Sequence, residues 1–138
     1  VVLTLESRNH YEYLLIEDLK PAGLEAVAIQ SGVRVYAREL SQRGIEQLEA
    51  GGQPAVKPDL SWRLSGRSQS LHQEWRDRKV ALFMDKLPEG LWEIRYTMRA
   101  EVPGHFSAMP AVGHAMYIPE IRGNSKEEHF HILDRSKD

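Results

Sequence analysis

The sequence predicts an all-β domain: an antiparallel β-sandwich with at most one short helix. Three observations carry that reading. Hydrophobicity alternates with period two through most of the legible stretches, turn residues punctuate those runs at short intervals, and helical periodicity is confined to one window.

The elements follow in order. Val1, Leu3 and Leu5 alternate with Val2, Thr4 and Glu6, as in a half-buried strand. Tyr11 to Asp18 is rich in strand formers and stops at Lys20-Pro21-Ala22-Gly23. Asn9-His10 between them reads as a bulge or tight bend, so one long kinked strand is a further option. Leu40–Ala50 carries the helix signal, with Ser41 as N-cap and Gly51-Gly52 as stop. Lys79 to Asp85 is short and largely apolar, and Lys86-Leu87-Pro88-Glu89-Gly90 places Pro and Gly as in a tight turn. Trp92, Ile94, Tyr96, Met98 and Ala100 then alternate with polar residues, so a β-hairpin is predicted from about Lys79 to Ala100. Phe106, Ala108 and Pro110 resume the alternation. Ala111 to Arg122, bracketed by Pro110, Gly113 and Pro119, reads as an ordered loop. Phe130 and Ile132 alternate with His129 and His131 in a final strand, with the apolar pair expected to face the core.

The 138 residues fit one domain, 1–138, large enough to bury a core without staples. With 41% hydrophobic and 28% charged residues, disorder is not expected. The 18 basic and 20 acidic side chains are scattered, which leaves no footprint for nucleic acid or an anionic membrane. No run is long enough for a membrane span. The absence of cysteine excludes a disulfide scaffold, a cysteine nucleophile, a thiolate metal site and a thioester formed by this chain. The chain opens on Val1 inside an apolar alternation, so it is expected to be a domain excised from a larger protein.

Candidate chemistry is sparse. His129 and His131 share one side of a strand, and Glu127 or Glu128 is a possible oxygen ligand; the competing reading is that both histidines project to solvent. No third histidine stands in a fixed motif, so no metal is assigned. His72-Gln73-Glu74 matches part of a deaminase signature without its cysteine partner. Asp18, Asp85 and several glutamates are candidates for paired carboxylates, but each sits where a solvated carboxylate is ordinary. No nucleophile elbow, phosphate loop or dinucleotide fingerprint occurs. Neither catalytic residues nor cofactors are expected. Trp62, Trp75 and Trp92 are candidates for a sugar-stacking platform; Trp92 belongs to an apolar alternation and is expected in the core, which leaves Trp62 and Trp75 for a carbohydrate- or surface-binding role.

Four blocks resemble a known family. Asn9 through Glu25 is similar to the start of the last macroglobulin-like domain of bacterial alpha-2-macroglobulins. Glu74 to Phe83, followed by Leu87-Pro88-Glu89-Gly90, resembles its central hairpin, and Tyr96 to Gly104 with Phe106 its next strand and turn. Ala115-Met116-Tyr117-Ile118-Pro119-Glu120-Ile121-Arg122-Gly123 resembles its loop before the final strand. The blocks keep the family's order. Residues 32 to 73 match no part of it, which leaves room there for a lineage-specific elaboration.

The resemblance implies a macroglobulin- or immunoglobulin-like sandwich in the C-terminal part of a large protease trap. In such proteins, cleavage of a bait region collapses the molecule around the protease, and a Cys-Gln thioester on another domain captures it. Implied partners are that thioester domain and other macroglobulin domains of the same chain, with trapped proteases met indirectly. The implied location is periplasmic, extracellular or at the cell surface. The family's Met-Tyr pair shields the thioester from water, which on this pattern assigns Met116 and Tyr117. The alternative is that the two plug the end of their own sandwich. Shielding predicts an exposed pair; plugging predicts a buried one.

Overall fold

The computed structural model describes residues 1–27, 35–40 and 67–134. Among them are twelve strands and no helix: β1 (Val2–Ser7), β2 (Tyr11–Leu19), β3 (Leu24–Ala26), β4 (Val35–Glu39), β5 (Ser68–Trp75), β6 (Lys79–Leu87), β7 (Gly90–Arg95), β8 (Met98–Ala100), β9 (Gly104–Ala108), β10 (Val112–Ala115), β11 (Ile118–Asn124) and β12 (Glu128–Ile132). Residues 41–50, the bulk of the predicted helix, and Trp62 lie outside the described residues.

Eight strands form one antiparallel sheet in the order β1-β7-β4-β5-β6-β2-β10-β11. It curls on itself so that its halves face each other as in a sandwich. β5 joins them. Its first residues, Ser68 to Leu71, pair with β4, and His72 to Trp75 pair with β6. One half contributes Ala37, Trp92, Ile94 and Tyr96 to the core, and the other Leu14, Ile16, Val80, Leu82 and Met84. The register stacks these within each half: Leu14 opposes Met84, Ile16 opposes Leu82, and Ala37 opposes Ile94. Removing this apolar surface from water is the main force holding the halves together.

The predicted strands at Lys79–Asp85 and from Trp92 exist, but they do not form a hairpin. β6 pairs with β2 and β5, whereas β7 pairs with β1 and β4. Alternation reports which face is apolar, and here the two apolar faces oppose each other across the core instead of lying side by side. The connection tucks in as it crosses: Leu87 is buried and the Trp92 indole Nε1 donates to the Pro88 carbonyl at 2.9 Å. The long alternation also splits after Arg95, and β8 leaves to pair with β3.

Two further readings change. Ala111 to Arg122, expected as a loop, is largely the β10–β11 hairpin. Pro119 is tolerated in β11 because that strand is a sheet edge, where a missing N–H breaks no ladder. The final strand β12 forms a separate ribbon with β9, where Phe130 packs on Phe106 with ring centroids 5.9 Å apart, rather than joining the main core.

Candidate interaction surface

The β10–β11 turn is built from the inside outward. β10 lies between β2 and β11, and its last residue, Ala115, is buried opposite Leu14. The β10–β11 register shifts between His114 and Ala115, and the chain then turns through Met116 and Tyr117. The Met116 amide donates to the Tyr13 carbonyl at 2.8 Å, tying the turn to β2. Beyond that point the side chains leave the core: Met116 is 44% exposed, Tyr117 76% and Ile118 52%.

Tyr13 completes the patch, and sequence reasoning missed it. Its ring meets that of Tyr117 edge to face, with centroids 5.3 Å apart and planes at 84°. Its φ is +54°, and no other described non-glycine residue has a positive value. Such a conformation costs a bulky residue about 1–2 kcal/mol. The strain has a structural consequence. Before Tyr13, Tyr11 packs on the core; after it, Leu14 and Ile16 do, so the inward parity of β2 changes there. β6 changes parity at the facing position, since Met84 and Leu87 are both buried while Asp85 and Lys86 are exposed. Tyr13 is thus turned outward, against Tyr117. Nothing in an alternating Tyr11-Glu12-Tyr13 run signals this.

The other candidate residues are dispersed. Asp18, expected at a solvated strand end, is buried opposite Val80 and accepts a hydrogen bond from the Tyr96 hydroxyl. Burial raises its pKa to about 6, against a lowering from the positive Val1 amino group. Asp85 is exposed on β6, five residues along from the Val80 that opposes Asp18, so these two candidates do not pair. Trp75 is not a surface platform: its ring packs on the core and edge-on to Tyr96 at 5.8 Å, and its Nε1 is buried without a hydrogen-bond partner. Trp92 is fully buried, as expected. His72 is exposed and 3.6 Å from Glu74. His129 and His131 are exposed on β12. Among the described residues, no three or more His, Asp or Glu side chains are grouped to hold a metal.

These features define a β-sandwich that presents an apolar turn. Residues 1–120 match the sequence model of the bacterial alpha-2-macroglobulin MG10 domain. The chain belongs to that family. It is 29% identical over 126 residues to an alpha-2-macroglobulin homolog of Nostoc sp., a match covering 91% of this chain and 5% of that protein. It is 24% identical over 126 residues to an alpha-2-macroglobulin of Xylella fastidiosa, covering 91% of this chain and 7% of that protein. The chain therefore spans a small part of the relatives it matches. No solved structure matches it.

Proposed function

We propose that this domain acts within a longer alpha-2-macroglobulin-like protease inhibitor, at the periplasmic or outer face of the cell, where it packs on a thioester domain and keeps water from the thioester. The observation that carries this reading is the exposed Met116-Tyr117 tip, braced by Tyr13 and by the bond from the Met116 amide. An isolated domain gains nothing by ordering apolar side chains into water, so the arrangement suits a surface normally covered. Tyr supplies a flat ring with a polar edge, and Met an adaptable apolar chain that fills an irregular surface. Covering an activated acyl bond with such groups lowers the local concentration of water and slows hydrolysis. The plugging alternative has little support, because neither side chain fills the domain's own core. The carbohydrate alternative loses Trp75 to the core.

The test uses the full-length parent protein. Tyr117→Ala and Met116→Ala should each speed the appearance of free thiol in the uncleaved protein, by several-fold or more, with the fold unchanged by circular dichroism. Thiol release at the wild-type rate in both variants would sink the shielding role.

A further inference from the structure

We propose that the β9–β12 ribbon carries a site for a divalent transition-metal ion, held by His105 and His131. The register places His131 directly opposite His105, and His129 opposite Ser107. Because side chains alternate across a strand, these four residues share one face, while Phe106 and Phe130 pack together on the other. Three of the six histidines in the sequence therefore meet on one short ribbon face, a concentration that residue spacing alone does not show. All three are exposed.

The register suits a chelate. The His105 and His131 rings are stacked, with centroids 4.0 Å apart and planes within 9° of parallel. Imidazole nitrogen binds zinc at about 2.0–2.1 Å, so two nitrogens on one ion stand no more than about 4.2 Å apart. Stacking holds the in-plane lone pairs parallel, so metal binding competes with the stack: both rings swing about χ1 and χ2 to aim one nitrogen each at a shared ion, within the separation that directly opposed residues allow. The antiparallel ladder fixes the two backbones, so little chain entropy remains to be lost on binding. No lysine or arginine occupies the paired positions of the ribbon to repel a cation. The Ser107 Oγ lies 2.8 Å from His129 Nδ1, which holds a further imidazole alongside. As the side chains stand, no cage of three ligands exists among the described residues. The site is a two-point chelate with its remaining positions open to water. Imidazole donors select copper(II), nickel(II) and zinc(II), and copper(II) binds most tightly of the three.

Isothermal titration of the chain with zinc chloride, and electron paramagnetic resonance with one equivalent of copper(II), test this site. One ion per chain is expected, with nitrogen hyperfine splitting in the copper spectrum. His105→Asn and His131→Asn should each weaken binding by at least roughly the tenfold that follows loss of even a ligand's supporting partner. His10→Asn, remote from the ribbon in sequence, should change nothing. The proposal is overturned by absence of binding at millimolar zinc, by wild-type affinity in either ribbon variant, or by an equal loss in His10→Asn. A metal-bridged dimer in sedimentation would also overturn it, since the ion would then join two chains instead of two strands.

Discussion

Asp18 stands where the alternation of β2 calls for an apolar side chain, in line with Leu14 and Ile16. At 8% exposure its carboxylate has lost most of its water, and burial holds its pKa near 6. A carboxyl whose pKa is raised on folding binds its proton more tightly in the folded state. Its contribution is therefore most favourable below the unfolded pKa and is lost as pH rises through about 6. With about 1.4 kcal/mol per pKa unit, the buried charge costs on the order of 2–3 kcal/mol at neutral pH. Asp18→Asn keeps an acceptor for the Tyr96 hydroxyl and removes the charge. Urea unfolding should show it more stable than wild type at pH 7 by up to about that amount, with the difference closing near pH 4. A difference independent of pH would show that the carboxyl is not the source. The residue type was visible in the sequence but its burial was not, because a carboxylate ending an apolar run ordinarily meets solvent.

The strands themselves were largely legible, because a period of two fixes which side chains share a face. Their neighbours were not. Lys79–Asp85 and the run from Trp92 read as partners across a Pro-Gly turn, yet the turn carries the chain across the core. Tyr13 shows a related limit. Alternation through Tyr11 and Tyr13 predicts one inward parity for β2, and the positive φ at Tyr13 breaks it. That geometry makes a prediction for substitution. In most strands Gly is less stable than Ala by roughly 0.5–1 kcal/mol. At position 13 the order should invert, with Tyr13→Gly more stable than Tyr13→Ala by about 1 kcal/mol, because only glycine adopts this φ freely. Denaturant midpoints of the two variants decide it; the ordinary order would mean that Tyr13 is not held in this conformation.

At the scale of the molecule, an all-β antiparallel sandwich was readable from patterning alone, whereas the strand order was not. The order depends on pairings between distant segments, such as β1 with β7, which periodicity does not encode. The candidate surface was half legible. Resemblance supplied Met116 and Tyr117, but Tyr13 meets Tyr117 through its positive φ, and His105 meets His131 through cross-strand register.

One contact set closes the curled sheet where β4 meets β5. The Arg67 guanidinium donates to both carboxylate oxygens of Glu39 at 3.0 and 2.8 Å, donates to the Glu89 carbonyl at 2.8 Å, and lies 5.5 Å from the Trp92 ring centroid. The Glu39 amide donates to the Arg67 carbonyl at 2.9 Å, and the Arg67 hydrogen bonds hold the Glu39 carboxyl below its usual range. Both ends of the segment between these residues are thereby fixed at one spot. In mechanical terms the Glu39–Arg67 pair is a clasp: the chain leaves β4 and enters β5 at one spot, and the contacts that hold the two strands together there are made by residues 39 and 67 themselves.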